Sequence, residues 1–525
     1  MPVTTPTEDR TAPPHARLTL VALILVATVA NLNLSVANVA LPDIGVAFKA
    51  SQASLNLVAV GFSLGLAGTV LYLGALGDRY GRSMMLLIGT GLAIPTSIAA
   101  AWSTNIGMLI VSRILGGVAA GMAFPTTLAL ITALWSGPGR VRAIAAWSAV
   151  GGSMAALGPL AAGACLNAFW WGSCFLLSIP LAVVAFFLSM RFVPSHVNET
   201  SDPVDHLGGV VSIVAVMALV LAINLAPSPG EGRAALITMV VAVVALVGFF
   251  VRQHRAPDPL FDLTIARRRI FWVAATGGLI VFGTLMAAIF LGEQYLQNVL
   301  GYSTLKAGAS ALPAAALMLI AAPMSARLIE RFGSRITLLC GYAFCFAAFV
   351  IMLVTWTETS GYPVVALAFG LAGIGVGLAG TPASHSLTGS VPVRRAGMAS
   401  GTSDLQRDLG GSIMQSLLGA ILTAGYAAAV ASRLASAPTK VSDAVASELQ
   451  RSFASAAVLS KQYPAEANAI ISGAKASFLQ GANWAYSVGC VMIVLGAIVI
   501  ATLFPHHHDE LVLLEDYAAD DAASS

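Results

Sequence analysis

Long apolar runs, separated by short polar segments, fill the sequence from residue 18 to residue 504. A helix that crosses a bilayer needs about 20 mostly apolar residues, and these runs have that length. Because most separators are short, consecutive helices must turn straight back on each other. The pattern predicts fourteen spans, at 18–41, 54–76, 84–103, 107–134, 142–166, 171–191, 207–226, 234–251, 270–297, 307–328, 336–356, 362–388, 396–428 and 479–504.

Two kinds of segment interrupt this rhythm. Polar connectors at 192–206 and 252–269 flank one helix pair, and the Ala/Ser-rich, partly amphipathic segment 429–478 is expected as a helical cap on the outer side. The pattern predicts a tail at 1–17, a six-helix bundle at 18–191, a linker with two extra helices at 192–269, a second six-helix bundle at 270–504 that includes the outer loop 429–478, and a solvated acidic tail at 505–525.

Composition agrees with a membrane protein. The chain is 57% hydrophobic and 10% charged, whereas a soluble domain has about 25% charged residues. The lipid bilayer is therefore its solvent. If both termini are cytoplasmic, the inner segments hold 17 of the 27 Lys and Arg residues and the short outer loops hold three. The positive-inside rule thus predicts a multi-pass protein of the cell membrane with both termini inside.

Several functional classes lack their motifs. No lysine precedes Ser or Thr, so there is no phosphate-binding loop for ATP, and no His-Glu-x-x-His metal motif occurs. The one Gly-x-Ser-x-Gly match, 61–65, lies inside a predicted span and lacks the strand-to-helix turn of a hydrolase. The net charge of +3 gives no indication of nucleic-acid binding. The sequence therefore predicts neither an enzyme nor a bound cofactor or metal.

One motif occurs twice. Residues 74–82 read Gly-Ala-Leu-Gly-Asp-Arg-Tyr-Gly-Arg, and residues 326–335 repeat the acidic residue, Arg, aromatic and Gly in register. Both copies fall on the predicted cytoplasmic face, as in transporters built of two halves. Each carboxylate could accept from neighbouring helix N-termini or arginines, so the loops are candidate gates. Their residues are Gly74, Asp78, Arg79, Gly81, Arg82, Glu330, Arg331, Gly333 and Arg335.

These residues resemble the major facilitator superfamily, whose signature loop is similar to 74–82. Arg113 with the glycines that follow it resembles the family's buried-arginine motif, and Gly158, Pro159 and Gly163 resemble its antiporter motif. Together with 38–42, 295–303 and 397–401, they resemble the fourteen-helix drug:proton antiporters. The resemblance implies two six-helix bundles, two extra central helices, and export of amphipathic compounds in exchange for protons.

Two positions depart from that subfamily. Five residues before Asn38 the subfamily usually has an aspartate, and this chain has Asn33, which cannot titrate. The Trp-Arg-Trp element that often opens span six is Trp171-Gly172-Ser173, without its arginine. Export or uptake of a lipid or metabolite, with atypical or no proton coupling, therefore stays open as an alternative.

Ionisable residues within spans are expensive to bury and are functional candidates. Arg113 is either a coupling residue or a structural arginine bound to backbone carbonyls, and Glu293 is either a buried proton acceptor or a solvated rim residue. Asp404, Arg407 and Asp408 share one helix face. They form either a proton site that replaces the acid missing at Asn33 or a structural ion cluster.

The substrate cavity has weaker sequence signals. Aromatic, Met and polar residues near the middle of the bundles could contact varied lipophilic ligands. The alternative is ordinary core packing. The candidates are Trp147, Phe282, Met286, Tyr295 and Gln297. The expected partners are a small lipophilic or amphipathic substrate, protons and the bilayer.

Overall fold

A computed structural model of the chain describes residues 13–50, 52–195, 197, 203–226, 231–436 and 442–523. This described part is helical and contains no strand. Its helices are α1 Ala16–Phe48, α2 Gln52–Tyr80, α3 Arg82–Ala101, α4 Ile106–Leu134, α5 Gly137–Leu166, α6 Ser173–Leu176, α7 Ser178–Phe192, α8 His206–Leu225, α9 Gly232–Arg255, α10 Leu263–Ala266, α11 Arg269–Asn298, α12 Thr304–Ala309, α13 Leu312–Thr355, α14 Tyr362–Gly389, α15 Ala396–Ala435, α16 Asp443–Arg451, α17 Phe453–Gln462, α18 Ala467–Leu503 and α19 His507–Ala523.

The helices match the predicted apolar runs, and the chain is a multi-pass membrane protein. Within the described residues, twelve helical stretches are long and apolar enough to cross a bilayer. One of them, Leu305–Thr355, is counted once although Gly333 has non-helical backbone angles inside it. Helix α5 enters that count only as the short segment Leu157–Leu166. The number fourteen therefore stays a prediction.

Close backbone contacts hold the helices of each half together. A Cβ atom at Gly65 of α2 would lie 2.1 Å from the carbonyl oxygen of Ile114 in α4. A Cβ at Gly373 of α14 would lie equally near Ala314 O in α13. The hydrophobic effect does not drive helices together within lipid. Helix association there depends on close van der Waals packing, which small residues such as these glycines allow.

The apolar cores follow the two expected halves. Helices α1 to α7 bury clusters that include Phe62, Trp147 and Phe175. Helices α11, α13, α14, α15 and α18 bury one larger cluster, in which Tyr295 and Phe349 have no exposed surface. The division of the chain into two six-helix bundles agrees with this arrangement, and its exact boundaries stay a prediction.

Helices α8 and α9 form a pair at the edge of the molecule. Asp205 caps α8 by accepting from Gly208 N at 3.0 Å, and it pairs with Arg252 of α9 at 3.0 Å. Burial raises the pKa of Asp205, but Arg252 and Gly208 hold it below its usual value overall. Val216 and Val220 of α8 pack on α2 and α15, so the pair covers one seam between the halves.

The segment 429–478 is more regular than a loop. Helix α15 continues to Ala435, beyond the predicted end at 428, and α18 begins at Ala467 instead of near 479. Helices α16 and α17 lie between them, and Tyr426 OH donates to Leu449 O at 3.0 Å. The predicted cap at 429–478 is thus largely helical. Residues 437–441 of that segment, and residues 1–12 of the N-terminal tail, lie outside the described part of the chain.

The prediction for the C-terminal tail is wrong in one respect. Residues 505–525 were expected as a solvated acidic segment, but α19 packs against the C-terminal bundle. Leu513, Leu514 and Tyr517 contact its apolar core. Arg268 pairs with Asp521 at 2.6 Å and lies 4.7 Å from the centre of the Tyr517 ring. The prediction weighed the acidic charge and overlooked the apolar face of the helix.

Candidate functional site

The first motif loop joins the two halves. At the end of α2, the Asp78 carboxylate accepts from the backbone N–H of Gly397, the second residue of α15, at 2.8 Å. It also pairs with Arg82 at 2.8 Å, and both side chains are buried. Arg82 in turn donates to Val393 O. The carboxylate therefore meets a helix N-terminus, where negative charge is stabilised.

The second motif loop makes the equivalent contact from the C-terminal half to the N-terminal half. Glu330 of α13 pairs with Arg142 of α5 at 3.3 Å, so each loop reaches the other half. Arg142 and Glu330 are far more exposed than Asp78 and Arg82. We call the end of the molecule that carries both loops the motif face. Arg331 is exposed and stacks on Phe332, whereas Arg335 contacts His506 and Ala501 O.

Glycine is required in both loops. Gly81 has φ 117° and Gly333 has φ 82°, a region that L-residues rarely adopt. Gly74 meets Gly397 directly: a Cβ at Gly74 would lie 2.9 Å from Gly397 O. Arg79 lies on the last turn of α2, half-buried. The two copies of the sequence motif therefore form turns of the same kind.

Arg113 and Asn33 lie together inside the N-terminal bundle. Arg113 Nη1 donates to the backbone oxygen of Asn33 at 2.7 Å, and Nε donates to Val58 O at 3.4 Å. The Asn33 side chain donates to Val29 O and accepts from Ser178. The guanidinium lies near the Phe62 ring. This is the carbonyl-bound arrangement that the sequence left as one of two alternatives.

Asp404, Arg407 and Asp408 occupy the interface between the halves, on α15. Among the described residues, both oxygens of Asp404 and Oδ2 of Asp408 are buried and have no hydrogen-bond partner. Arg407 forms no ion pair with either acid, and its Nε and Nη2 also lack partners among the described residues. Arg407 therefore neutralises neither carboxylate through a direct ion pair, although all three residues lie on one helix.

Aromatic rings surround Arg407 instead. Its guanidinium carbon lies 4.4 Å from the centre of the Trp147 ring, 4.7 Å from Phe282 and 5.9 Å from Phe124. Trp147 stacks on Phe124 and donates to Thr127 at 2.8 Å. The rings come from α4 and α5 in one half and α11 in the other. We call Asp404, Arg407, Asp408, Trp147 and Phe282 the central cluster.

The other cavity candidates lie apart from the central cluster or at its edge. Met286 is half-buried against Gly411 on α15. Tyr295 is fully buried, stacks on Trp356 with ring centres 4.6 Å apart and donates to a backbone oxygen. Glu293 is half-buried and Gln297 is exposed. Because a helix rises about 1.5 Å per residue, Glu293 lies about 16 Å along α11 from Phe282.

The antiporter motif lies where α5 meets its neighbours. A Cβ at Gly158 would lie 1.9 Å from Ser35 Oγ of α1, and one at Gly163 would lie 2.8 Å from Leu305. Pro159 lies within α5 between them. The motif therefore allows α1 to approach α5 closely in the half of each helix that lies away from the motif face.

The sequence interpretation missed three polar or aromatic neighbours of the central cluster. Phe124 and Thr127 bring Trp147 into position, and Gln406 is buried with both amide atoms lacking a partner among the described residues. The sequence could have indicated Gln406, because it is a polar residue within a predicted span and follows Asp404 by two residues. It could not have indicated Phe124 and Thr127, because their role depends on how α4 packs against α5.

Proteins of known family share this sequence pattern and architecture. The family model described as Major Facilitator Superfamily matches residues 23–415. The chain belongs to this superfamily. Major facilitator relatives include the multidrug resistance protein Stp of Mycobacterium tuberculosis, 32% identical over 78% of this chain and 76% of Stp. The multidrug efflux pump LfrA of Mycolicibacterium smegmatis is 29% identical over 95% of this chain and 98% of its own length.

Solved major facilitator structures share the fold. The human organic anion transporter MFSD10 superposes with a TM-score of 0.58 over 93% of this chain and 100% of its own, at 13% identity. The proton:xylose symporter XylE superposes with a TM-score of 0.55 over 93% of this chain, at 15% identity. At such low identity the likeness concerns the fold alone.

Proposed function

We propose that this chain is a secondary transporter that exports amphipathic, drug-like compounds in exchange for protons by alternating access. The central cluster carries the proposal. Asp404 and Asp408 bury carboxylate oxygens without hydrogen-bond partners between the two halves. Burying a neutral acid costs far less than burying a carboxylate, so a site of this kind favours proton binding and release.

The surroundings of Arg407 support an amphipathic substrate. Trp147 and Phe282 offer flat apolar surfaces on opposite halves, and the two acids add negative charge beside them. A lipophilic cation could stack on the rings and pair with a carboxylate that Arg407 leaves without an ion pair. By their names, Stp is a multidrug resistance protein and LfrA is a multidrug efflux pump.

The motif loops support alternating access. Asp78 and Glu330 each bind the other half at the motif face, so these contacts must break when that face opens. The positive-inside pattern assigns the motif face and both termini to the cytoplasm, in the cell membrane. Rocking of two halves about a central site then moves the substrate outward without ATP.

One observation favours a second function. Asn33 removes an acid usual in proton-coupled drug exporters, and its backbone, not its side chain, holds Arg113. An exporter of a lipid or metabolite, with atypical or no proton coupling, fits this arrangement. The two functions differ in their dependence on a pH gradient.

Inverted membrane vesicles separate these alternatives. With an acidic interior, the wild-type protein should accumulate a fluorescent lipophilic cation such as ethidium, and nigericin, which collapses the gradient, should release it. Asp404→Asn and Asp408→Asn should abolish accumulation, while Asp43→Asn, an exposed acid on α1, should leave it unchanged. Accumulation that survives nigericin, or full activity in both cluster variants, would reject proton exchange at this site.

A further inference from the structure

Arg113 brings a positive charge into the N-terminal bundle that no acid of this bundle neutralises. Between residues 16 and 192 the sequence contains only two acids, Asp43 and Asp78. Asp78 pairs with Arg82 at the motif face, and Asp43 is exposed. Asp43 also lies ten residues beyond Asn33 on α1, which is about 15 Å along the helix.

Hydrogen bonds to neutral groups do not cancel this charge. Arg113 is 2% exposed, and its two bonds go to the backbone oxygens of Asn33 and Val58. The third nitrogen, Nη2, is buried and has no partner among the described residues. An uncompensated buried charge is costly, and arginine does not lose its proton to avoid the cost. The site lacks a negative group.

A cavity lies beside this nitrogen. It lies between α1, α2, α3, α4 and α6, and both Arg113 and Asn33 line it. Phe62 and Phe175 line it too, within 4.9 and 5.5 Å of the guanidinium carbon. Its remaining polar lining consists of hydroxyl and amide groups, from Thr90, Thr96, Ser97, Ser112 and Asn33. None of its lining residues is acidic.

We propose that this cavity binds a monovalent anion, held by Arg113 Nη2 and by the hydroxyl groups of Ser97 and Ser112. The single negative charge of the anion balances the positive charge of Arg113. The anion also accepts a charge-assisted hydrogen bond from Nη2, which otherwise has no partner. A halide ion and the carboxylate of a small organic molecule share this chemistry. Asn33 is the position that makes an external anion necessary, because an aspartate there would supply the negative charge from within the chain.

Binding of radiolabelled chloride to the purified full-length protein tests the proposal, with sulfate, a divalent anion, keeping the ionic strength constant. Wild-type protein should bind chloride saturably. Asn33→Asp, which changes the charge and hardly the size, should lose this binding. Asn31→Asp places the same charge on α1 outside the cavity lining and should keep it. Ser97→Ala and Ser112→Ala should each weaken binding about tenfold, as expected for one hydrogen bond to a charged group.

Competition by acetate and benzoate distinguishes the two sources. Displacement of chloride only by other halides assigns the site to an inorganic ion, and displacement by carboxylates at lower concentration assigns it to an organic acid. In sulfate, without halide or carboxylate, the thermal unfolding midpoint of Asn33→Asp should exceed that of the wild type. Binding that Asn33→Asp leaves intact, or no saturable binding of chloride or carboxylate, overturns the proposal. Neither measurement involves transport, so the result is independent of the proposed export.

Discussion

Gly333 shows how a single residue can determine both a turn and a docking surface. Its angles, φ 82° and ψ 170°, belong to a region that is almost exclusive to glycine. A Cβ there would also lie 2.7 Å from Nδ1 of His507, the first residue of α19. Gly333 therefore allows both the break in α13 and the approach of the C-terminal helix.

Replacing Gly333 by alanine should destabilise the protein by about 1–3 kcal/mol through backbone strain and should release α19. Thermal unfolding and limited proteolysis of the tail measure the two effects. Gly389→Ala is the matched control, because a Cβ at this helical glycine has open space around it and should be tolerated. Equal behaviour of the two variants would show that the turn is not strained.

The sequence reveals single functional residues better than their partners. Arg113 and Asn33 were both singled out, and they lie together. Asp404, Arg407 and Asp408 were placed on one face, but the aromatic rings around Arg407 were not expected. Helical periodicity fixes which residues share a face, whereas Phe282 and Trp147 meet Arg407 only through contacts between separate helices. Tyr295 has the same residue character and lies instead in the core of one half.

At the scale of elements, α19 is the helix that the sequence interpretation misjudged. Glu510, Leu513, Leu514 and Tyr517 are spaced i, i+3, i+4 and i+7, which places them on one face. That face packs on the C-terminal bundle, and Glu510 accepts from Ser334 N at 3.1 Å. This spacing is sufficient to predict that one face of α19 packs against the protein. The bounds of the long spans were predicted more easily, because twenty apolar residues leave few alternatives in a bilayer.

Docking of α19 should depend on pH. Burial raises the pKa of Glu510 above its usual value, although hydrogen bonds from Ser334 and Ser386 oppose the shift. A released tail loses this proton near pH 4.3, so ionisation favours release as the pH rises from there through the raised value. Docking is thus most stable in acid. Glu510→Gln cannot ionise and should bind more firmly at neutral pH.

Hydrogen–deuterium exchange of residues 507–523, corrected for the intrinsic effect of pH, measures this docking. The wild type should exchange faster at pH 8 than Glu510→Gln, and the difference should shrink as the pH falls. Glu515→Gln makes the same charge change on an exposed position and should behave like the wild type. Equal protection of all three proteins at pH 8 would refute a role for Glu510 ionisation.

At the scale of the whole molecule, the two motif loops are similar in position and unequal in burial. The Asp78 and Arg82 side chains are 6% and 1% exposed, whereas Glu330 and Arg142 are 32% and 67% exposed. Breaking a buried pair leaves an unpaired charge and costs about 3–5 kcal/mol. An exposed pair contributes about 0–1 kcal/mol. The buried Asp78 carboxylate, which accepts from Gly397 N of the other half, should therefore contribute more to closure of the motif face than Glu330 does.

Asp78→Asn should lower the thermal unfolding midpoint and vesicle transport far more than Glu330→Gln. Each variant removes one charge at the equivalent place in its half, so each serves as the control for the other. Losses of similar size would mean that both loops bear the closing contacts equally.

The position of α8 and α9 also makes the two seams between the halves unequal toward lipid. Helix α8 rests on α2 and α15, and α9 exposes Leu236, Val240 and Val244 along its outer side. The opposite seam, between α5 and α13, has no such cover among the described helices. If the halves rock as proposed, a compound dissolved in a membrane leaflet meets a wall of helices on one side of the molecule and a boundary between moving parts on the other. Lateral access to the interior is then expected from one side only.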